Sequence, residues 1–446
     1  MSHSISKSLT DVTASCFGPL KGQFDAPGDK SVSHRSLIMG ALARGNTRIN
    51  GLLESDDVLN TAKAVQALGA EVAHKEDGSW HVQGTGGAFK VSDQELDLGN
   101  SGTGVRLMMG AVAGTGISAR FVGDESLSSR PMARVTDPLS QMGAIFETAN
   151  GQLPVTLAGG TLKAVDYTPP IASAQVKSAI LLAGLGATGK TIVREKQATR
   201  DHTERMLAAF GVDLEVTYDQ GSLTASLEGP QSLTACDIDV PGDPSSVSFA
   251  IVAALLTPAS SIHINRVMDN PARTGLLTTL KDMGADLTLT SGPDMAGEKT
   301  FNISARYSRL KGIDVPAERA PSMIDEYPVL GVAAACASGT TRMLGLAELK
   351  AKESDRLTGT ADMLKANGVR VETSEDSLTV HGCGEDRPPG GGRVETRHDH
   401  RLAMSGLVLG LVAQKPVTID SADMIATSYP DFFDHMRALG AQIDQG

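Results

Sequence analysis

The chain has 446 residues, 41% of them hydrophobic and 21% charged, which is the balance of a globular protein with two or three domains. A net charge of −12 without a run of Lys or Arg argues against nucleic-acid binding, and the longest apolar stretch, "LAMSGLVLGLVA", is too short to cross a membrane. The sequence opens without a signal-peptide core and its four cysteines are far apart, so we expect a cytoplasmic protein with reduced thiols.

An internal repeat organises the sequence. Tripeptides such as "LGA", "MGA" and "NGV" end six helical patterns roughly 70 residues apart, and each is followed by an alternating, strand-like stretch. Upstream in each unit come an Ala/Leu-rich helix, a short turn and a β-like run. The glycine of each tripeptide is expected to cap its helix in the left-handed conformation. These glycines are Gly69, Gly143, Gly211, Gly284, Gly368 and Gly440. The sequence therefore predicts an α/β (α+β) fold of six βαβαββ repeats.

Two similar phrases divide the repeats into two groups of three. "DAPGDKS" and "DVPGDPSS" each place Pro-Gly after a short strand, which suits a chain crossing between lobes. We predict an upper lobe at 27–242, with repeats one to three. The lower lobe is predicted at 1–26 plus 243–446, with the N-terminal strand and repeats four to six. Two lobes joined by two hinges can close on a ligand, so we expect the active site in the interlobe cleft.

Repeat one opens with "GDKSVSHR", which puts Lys30, Ser31 and Arg35 in the first turns of a helix. Cations and a hydroxyl at a helix N-terminus, together with the free N–H groups and the dipole, form an anion site. The alternative interpretation is an exposed helix cap with solvated basic residues.

Repeat two opens with "LGNSGTGVR". Asn100 or Ser101 is expected to cap the helix, and Gly102 allows a ligand to approach the backbone closely. The stretch "SLSSRPM" then places Arg130 in a loop before the next helix. Each feature also fits a plain glycine-rich cap or a solvated arginine, so the case for an anion site depends on their equivalent places in the repeats.

Repeat three contains an apparent nucleotide motif. "GLGATGKT" matches the phosphate loop G-x-x-x-x-G-K-[ST] letter for letter. A phosphate loop needs a strand before it and a helix after it, whereas the pattern here is helix, turn, strand, so we predict no ATP site. Beside it, "ASAQVKSA" offers Ser173 and Gln175 as neutral hydrogen-bonding groups, and "TRDHTERM" places Arg200 before a helix.

Two stretches of the lower lobe contain carboxylates that are candidates for catalysis. "APSMIDEYP" sets Asp325 among apolar residues, where a carboxylate is costly unless it is paired or used. "LKAKESDRL" places Lys352 and Arg356 on one helical face with Glu353 beside them. A solvated ladder of ion pairs is the alternative for this second stretch.

Repeat six opens with "RHDHRLAM", which contains Arg401. Its H-x-H pattern lacks a third ligand cluster, so no metal is predicted. The cations of the different repeats stand mostly at helix starts, and an acidic protein with a basic cleft concentrates small anions there. We therefore expect an enzyme for anionic, phosphorylated small molecules, with Asp325 and Glu353 as its acid and base groups.

The motifs "PGDKSVSHR", "LGNSGTGVR", "SLSSRPM", "SAQVKSA", "IDEYP", "KESDRL" and "DHRLAM" together resemble the 5-enolpyruvylshikimate-3-phosphate synthases, in order and over almost the whole chain. "TRDHTE" and "PSMIDEYP" resemble the bacterial class II type associated with glyphosate tolerance. The resemblance implies a two-lobed inside-out barrel, the enolpyruvyl transferase fold. It also implies transfer of the enolpyruvyl (1-carboxyvinyl) group of phosphoenolpyruvate to the 5-hydroxyl of shikimate 3-phosphate, with release of phosphate. This is a shikimate-pathway step toward chorismate and aromatic amino acids, with no metal or organic cofactor, and we expect a monomer.

The resemblance also assigns roles by motif position. Asp325 is expected to take the proton of the 5-hydroxyl, and Glu353 and Lys30 are candidates for proton exchange at the methylene carbon. Shikimate 3-phosphate is expected to bind Lys30, Ser31, Arg35, Ser173, Gln175, Arg200, Asp325 and Lys352. Phosphoenolpyruvate is expected to bind Lys30, Gly102, Arg130, Gln175, Arg356 and Arg401.

The chain departs from the family pattern at a few positions. Thr427 stands where many relatives carry a Lys that contacts phosphoenolpyruvate, Glu348 where many carry Asn, and Arg200 where many carry an aromatic residue. Gly102 stands where glyphosate-tolerant relatives often have Ala, whose methyl group crowds the inhibitor. We therefore expect glyphosate to bind and to inhibit this protein more strongly than those relatives.

Three other functions are weighed against this one. UDP-N-acetylglucosamine enolpyruvyl transferase shares the fold but normally has a Cys in the loop of repeat two, and residues 100–135 contain none. A nucleotide-binding regulator would rest on "GLGATGKT", and ATP titration would reveal it. A non-catalytic repeat scaffold would leave Asp325 and the cations without a role.

Overall fold

The computed structural model describes residues 10–16 and 18–445, which form two compact units. The upper lobe consists of Gly28–Pro241 together with Asp294–Lys299, and the lower lobe contains the chain up to Pro27, Gly242–Pro293 and the chain from Thr300 onward. Residues 1–9, 17 and 446 of the predicted lower lobe lie outside the described residues. Every helix of the described part is too short or too polar to span a membrane.

The described chain begins with two strands of the lower lobe, β1 (Thr10–Ser15) and β2 (Lys21–Asp25). The helices of the upper lobe are α1 (Lys30–Leu42), α2 (Asp56–Ala67), α3 (Gly102–Thr115), α4 (Glu125–Ser128), α5 (Ala133–Gln141), α6 (Ala174–Gly184) and α7 (His202–Ala209). Its strands are β3 (Asn46–Asn50), β4 (Glu71–His74), β5 (Trp80–Gln83), β6 (Leu96–Asp97), β7 (Ala119–Val122), β8 (Ile145–Ala149), β9 (Gln152–Ala158), β10 (Asp166–Tyr167), β11 (Gly189–Glu195), β12 (Leu214–Asp219), β13 (Ser222–Gly229) and β14 (Ile238–Asp239).

The lower lobe continues with the same alternation. Its helices are α8 (Pro244–Leu256), α9 (Gly275–Asp282), α10 (Tyr327–Cys336), α11 (Arg356–Ala366), α12 (His400–Val412) and α13 (Phe432–Ala438). Its remaining strands are β15 (Ser261–Met268), β16 (Asp286–Ser291), β17 (Thr300–Arg306), β18 (Asp314–Val315), β19 (Ser338–Met343), β20 (Arg370–Thr373), β21 (Leu378–Cys383), β22 (Arg393–Val394), β23 (Val417–Ser421) and β24 (Gln442–Asp444). Short 3-10 helices cover Ala317–Ser322, Ala347–Ala351, Gly384–Asp386 and Asp423–Thr427.

The strands of the described residues form six sheets of four strands each, with one shared topology. In the upper lobe the orders are β14-β3-β5-β4, β6-β7-β9-β8 and β10-β11-β13-β12; in the lower lobe they are β16-β17-β15-β2, β18-β19-β21-β20 and β22-β23-β1-β24. Each sheet contains one parallel pair and two antiparallel pairs. Strand β9 alternates buried Leu153, Val155 and Leu157 with more exposed neighbours, as a strand with one buried face must. The predicted mixed α/β fold of repeated βα units is confirmed.

The first helix of each repeat is the buried one. All thirteen residues of α8 are buried, and α8, α10 and α12 pack on one another in the lower lobe. In the upper lobe α3 packs against α1 and α6. A helix that is apolar on all sides is expected in a core, and the sequences of these helices are rich in Ala, Leu and Val. Three of these helices, α1, α3 and α8, have a capping side chain at their N-terminus. Asp29 accepts from Val32 N, Ser101 from Gly104 N, and Asp243 from Ser245 N.

The repeated glycines and the apparent phosphate loop have the predicted local structure. Gly69, Gly143, Gly211, Gly284, Gly368 and Gly440 all have φ between 79° and 105°, the left-handed region that favours glycine. In "GLGATGKT", α6 ends at Gly184 and β11 begins at Gly189, whose φ is 100°. The order is helix, turn, strand, so no helix N-terminus follows this loop to receive a phosphate.

Candidate functional site

Arg35 of α1 is almost fully buried in the upper lobe and is held by hydroxyl groups. Its Nε donates to Thr203 Oγ1 at 2.7 Å, its Nη2 to Ser178 Oγ at 2.7 Å, and its Nη1 to the carbonyl of Ser31 at 3.0 Å. Ser178 donates to the carbonyl of Ala174 at 2.6 Å, so Thr203 is the donor in the 2.7 Å bond between the two hydroxyls. These partners orient the guanidinium without offsetting its charge.

Lys30 stands one turn before Arg35, at the first position of α1. Its ammonium forms an ion pair with Asp57, a buried carboxylate in the first turn of α2. The Lys30 side chain is 19% exposed, so it is within reach of a ligand while Asp57 fixes its direction. A lysine with an adjacent carboxylate has a partner for proton transfer, as the proposed role of Lys30 requires.

His34 joins three helices behind Lys30 and Arg35. Its Nδ1 lies 2.8 Å from Thr61 Oγ1 of α2, and its Nε2 lies 3.3 Å from the Oγ of Ser101, the cap of α3. Burial, with Lys30 and Arg35 nearby, holds the pKa of His34 well below its ordinary value. The imidazole is therefore neutral at physiological pH and acts as a link between two hydroxyls.

Gly102, the first residue of α3, lies beside two arginines. A Cβ at this position would be 2.9 Å from Arg106 Nη1 and 3.1 Å from Arg130 Nη1, closer than side chains normally approach. Arg106 Nη1 also donates to Gln175 Oε1 at 2.9 Å, and Gln175 Nε2 donates to Thr103 Oγ1 at 3.0 Å. Gln175 thus ties the start of α6 to the start of α3, and the missing side chain at Gly102 leaves room for both guanidiniums.

Arg130 follows α4 and is buried. Its Nη2 donates to Asn100 Oδ1 and, at 3.0 Å, to Ser126 Oγ, whereas its Nε has no hydrogen-bond partner. A buried donor without a partner is costly, so this side of the guanidinium is suited to an anion. Ser173, the N-cap residue of α6, and Arg200, in the loop before α7, are both half-buried.

In the lower lobe, Arg356 lies at the centre of three carboxylates. Its Nε donates to Asp399 Oδ2 at 2.8 Å, its Nη1 to Asp325 Oδ1 at 3.0 Å, and its Nη2 to Glu353. Lys352 Nζ lies 3.6 Å from Asp325 Oδ1, so two cations face that carboxylate. Burial works to lower the pKa of Arg356, but the three carboxylates outweigh it and raise the pKa above its ordinary value.

Arg401 belongs to α12 and is supported from behind by a buried polar chain. Its Nη1 donates to the carbonyl of Asp325 at 3.2 Å and lies 3.6 Å from Glu326 Oε1. Ser245 donates to Glu326, and Arg273 Nη2 donates at 3.0 Å to Ser245 Oγ. This chain fixes the position of Arg401 beside Asp325.

The loop before α12 has unusual backbone geometry. Arg397 and His398 have φ of 54° and 55°, a conformation that costs energy for residues other than glycine and that often marks functional loops. Asp399 then caps α12 through Arg401 N at 2.9 Å, and it also accepts from Ser354 and Arg356. The strained turn therefore brings Asp399 to Arg356.

Two residues that depart from the family pattern, Thr427 and Glu348, lie in 3-10 helices of the lower lobe. Thr427 lies in the last 3-10 helix, where its Oγ1 donates to the carbonyl of Met424 at 2.7 Å. Glu348 lies in the 3-10 helix before Lys352 and is half-buried. A hydroxyl bonded to its own backbone cannot replace the ammonium of a Lys.

One group of the described residues has the donor set of a metal site. Ligand atoms of Asp201, His202 and Glu298 lie within 4.8 Å of one another, and all three side chains are buried. His202 Nδ1 is 2.8 Å from Glu298 Oε1, while Arg205 Nε is 2.9 Å from Asp201 and 3.5 Å from Glu298. A guanidinium already faces both carboxylates, so this group is an ion-pair network rather than an open metal site.

The structure adds residues that the sequence analysis missed. Ser178 lies three residues after Gln175 on α6, so helical spacing was an available signal. Thr203 contacts Arg35 across 168 residues of sequence, and no local pattern announces that contact. Asp57 and Arg106 were likewise missed because they have partners in other elements.

Comparisons with known proteins show the family of the chain. A family model for EPSP synthase (3-phosphoshikimate 1-carboxyvinyltransferase) matches residues 16–436. The chain is 64% identical to the 3-phosphoshikimate 1-carboxyvinyltransferase of Maricaulis maris, over 95% of each chain. The solved EPSP synthase of Acinetobacter baumannii is similar with a TM-score of 0.85 and 42% identity, covering 98% of this chain and 100% of that one.

The enolpyruvyl transferase NikO of Streptomyces tendae has a similar fold, with a TM-score of 0.76 at 19% identity, covering 98% of this chain and 99% of that one. A sequence identity of 19% supports a shared fold and nothing beyond it. The family match over most of the chain, together with high identity to a curated relative, shows more. The chain belongs to the EPSP synthase family.

Proposed function

We propose that this protein is a 3-phosphoshikimate 1-carboxyvinyltransferase. It transfers the enolpyruvyl group of phosphoenolpyruvate to the 5-hydroxyl of shikimate 3-phosphate and releases phosphate. The observation that carries the proposal is the 64% identity to a curated enzyme of that name over 95% of each chain. The product leads through the shikimate pathway to chorismate and the aromatic amino acids.

Shikimate 3-phosphate is proposed to bind mainly cations and hydroxyls of the upper lobe. The held guanidinium of Arg35 and the ammonium of Lys30 supply positive charge for its phosphate. Ser31, Ser173, Gln175 and Arg200 would complete the contacts there, and Asp325 and Lys352 would meet the hydroxyls. It stays a prediction that both lobes act on one substrate pair in an interlobe cleft.

Phosphoenolpyruvate is proposed to bind Arg130, Arg356 and Arg401, with Lys30, Gly102 and Gln175 beside it. The unpartnered Nε of Arg130 supports this role because a carboxylate or phosphate oxygen would satisfy it. Arg401, supported by Glu326, and Arg356, held by three carboxylates, present fixed guanidiniums. Fixed cations need no reorganisation when charge develops in the transition state.

The reaction is proposed to be an addition followed by an elimination, with three proton transfers. Asp325 accepts the proton of the 5-hydroxyl, and the oxygen attacks C2 of phosphoenolpyruvate as its methylene carbon C3 takes a proton from the Lys30 ammonium or from Glu353 in its protonated form. The tetrahedral intermediate then loses phosphate while C3 returns a proton. Ionised carboxylates are suitable bases, and the position of Asp325 between Arg356 and Lys352 keeps its oxygen directed.

The deciding experiment is phosphate release with both substrates, with each alone, and with UDP-N-acetylglucosamine as the rival acceptor. Asp325→Asn keeps the hydrogen bond to Arg356 but removes the base, so we expect kcat to fall about 10²- to 10⁴-fold. Asp286→Asn, an exposed carboxylate on β16, is the matched control and should keep full activity. Release only with the nucleotide sugar would favour the alternative function.

We also propose the class II subtype and inhibition by glyphosate, which rest on "TRDHTE", "PSMIDEYP" and Gly102. In Gly102→Ala the new methyl must push the Arg106 and Arg130 guanidiniums away, because it would lie 2.9 and 3.1 Å from them. We expect about a 10-fold higher KM for phosphoenolpyruvate and a larger rise in the glyphosate IC50. A parent enzyme that needs millimolar glyphosate for inhibition at low phosphoenolpyruvate would contradict the idea.

We further propose that the protein is a cytoplasmic monomer. Each lobe has its own compact set of internal contacts, which supports a self-sufficient chain. Sedimentation at several concentrations tests the monomer, and cell fractionation tests the compartment.

A further inference from the structure

A buried lysine lies beneath the proposed phosphate site of the upper lobe. Lys177 of α6 is 0% exposed, and its Nζ is 2.8 Å from Glu195 Oε2 and 2.7 Å from Glu204 Oε1. Both carboxylates are themselves buried. Because no surface of Lys177 is accessible, it cannot touch either substrate, and the mechanism above does not use it.

The two carboxylates stand at opposite ends of one loop. Glu195 is the last residue of β11, and Glu204 is in the first turn of α7, so the segment between them contains Arg200. Glu195 also holds the loop itself: its Oε1 accepts from Thr199 Oγ1 at 2.6 Å and its Oε2 from Thr199 N at 3.1 Å. Thr199, the residue before Arg200, is therefore connected to Lys177 through the carboxylate of Glu195.

The other end of the loop leads to Arg35. Glu204 follows Thr203, which accepts from Arg35 Nε at 2.7 Å and is bonded to Ser178 Oγ at 2.7 Å. Ser178 is the residue after Lys177 on α6. The ammonium of Lys177 thus determines the position of α7 relative to α6 at the place where both helices hold Arg35.

Burying one cation with two carboxylates is an expensive way to stabilise a core. Replacing such a set by uncharged residues of similar volume often leaves a protein equally or more stable. Burial works to lower the pKa of Lys177, but Glu204 and Glu195 outweigh it and raise the pKa, so the lysine is charged. Burial raises the pKa of Glu204. A buried lysine between two carboxyl groups indicates a role in geometry rather than in stability.

We propose that Lys177 is a positioning residue that clamps both ends of the loop between Glu195 and Glu204, and so aims Arg200 and Arg35 at the phosphorylated substrate. The inference rests on the proposed function, because it takes shikimate 3-phosphate as the ligand of these two arginines. It predicts a selective effect: affinity for shikimate 3-phosphate depends on the clamp, and affinity for phosphoenolpyruvate does not.

The main test variant removes all three charges at once, as Lys177→Met with Glu195→Gln and Glu204→Gln. No buried charge is then left without a partner, so the protein is expected to fold. Calorimetry should give a Kd for shikimate 3-phosphate at least about 10-fold higher, the loss expected when hydrogen bonds to charged groups are misplaced. The kcat at saturation and the KM for phosphoenolpyruvate should stay within about threefold of the parent.

A second variant leaves the buried charges intact. Thr199→Val removes the side-chain bond from Thr199 to Glu195 and keeps only the backbone one, so it should weaken shikimate 3-phosphate binding in the same direction by about fivefold. Thr199→Ser keeps the hydroxyl and should restore parental binding. In an Arg200→Ala background, Thr199→Val should have little further effect, because the residue that the link aims is gone.

The matched control is Lys190→Met on β11, which breaks the exposed ion pair with Glu215 and should leave both substrates unaffected. Unchanged shikimate 3-phosphate affinity in the triple variant and in Thr199→Val would overturn the clamp, as would an equal loss of affinity for both substrates. If the parent protein releases no phosphate from the substrate pair, the proposed function itself is wrong. An active parent with unaffected variants refutes the clamp alone.

Discussion

Two buried arginines of this molecule donate hydrogen bonds to different kinds of side chain. Arg35 in the upper lobe is 2% exposed and donates to the hydroxyls of Thr203 and Ser178. Arg356 in the lower lobe is 0% exposed and donates to Asp325, Glu353 and Asp399. Hydroxyl partners fix a guanidinium but leave its charge in place, whereas carboxylates fix it and offset its charge.

The difference indicates two tasks. A cation held by hydroxyls keeps its attraction for an incoming anion, and its loss should weaken binding more than folding. A cation held by a buried carboxylate, as Arg356 is by Asp399, is also what allows that carboxylate to be buried, so its loss should harm folding first. The proposed base, Asp325, is another partner of Arg356, which links stability and catalysis at a single residue.

The largest expected effect follows removal of Arg356. Arg356→Met leaves Asp399 fully buried without its cation, and breaking such a pair costs about 3–5 kcal/mol. We expect a matching fall in the free energy of unfolding, measured by urea denaturation, together with loss of activity. Arg393→Met breaks an exposed ion pair with Asp11 in the same lobe and should leave stability nearly unchanged. A stable but inactive Arg356→Met protein would break the comparison, since the carboxylates would then not need the arginine.

A smaller loss of stability is expected for Arg35→Met, since the hydroxyls left behind remain 2.7 Å apart and can bond each other. We expect about 1–2 kcal/mol in the free energy of unfolding. Shikimate 3-phosphate affinity should fall about 10- to 100-fold, the value of a hydrogen bond to a charged group. Urea denaturation and calorimetry measure the two effects separately. Equal stability losses in Arg35→Met and Arg356→Met would show that the type of partner does not matter.

The fold was predictable because its signals are local and repeated. Each βαβαββ unit carries its own helix pattern and its own capping glycine, such as Gly69 or Gly284, and six copies make the pattern hard to mistake. The same local order distinguished "GLGATGKT" from a phosphate loop. What the sequence did not predict is the assignment of Asp294–Lys299 to the upper lobe, because that segment lies within a hairpin of lower-lobe strands and only its contacts place it.

In the candidate site, too, local features were predictable from the sequence and contacts between distant residues were not. Lys30, at a helix start, was visible because helix N-terminal motifs are local. The prediction that Lys352 and Arg356 share one helical face was wrong, because α11 begins at Arg356 and Lys352 lies before it. The partners of the charged residues were not visible, because a contact such as that of Arg35 with Thr203 depends on how two distant helices pack. The contrast between hydroxyl and carboxylate partners, on which the predictions above depend, therefore needed the structure.

The smallest expected effect concerns pH and the neutral groups of the upper lobe. The pKa of His34 is held well below its ordinary value in the folded protein, so below about pH 6.5 the unfolded chain binds a proton that the folded chain does not. Stability should be full above pH 6.5 and should fall as pH drops toward the lowered pKa, by about 1.4 kcal/mol between pH 7.5 and 5.5 from this group.

His34→Asn keeps a neutral hydrogen-bonding side chain and removes the titrating group. The difference in unfolding free energy between parent and variant should therefore narrow by that amount as pH falls, measured by urea denaturation at each pH. His74→Asn, a half-exposed histidine of the same lobe, is the control and should keep the parental slope. If His34→Asn also keeps the slope, His34 is not the neutral link between Thr61 and Ser101. The imidazole would then become charged beside Lys30 and Arg35 as the pH falls.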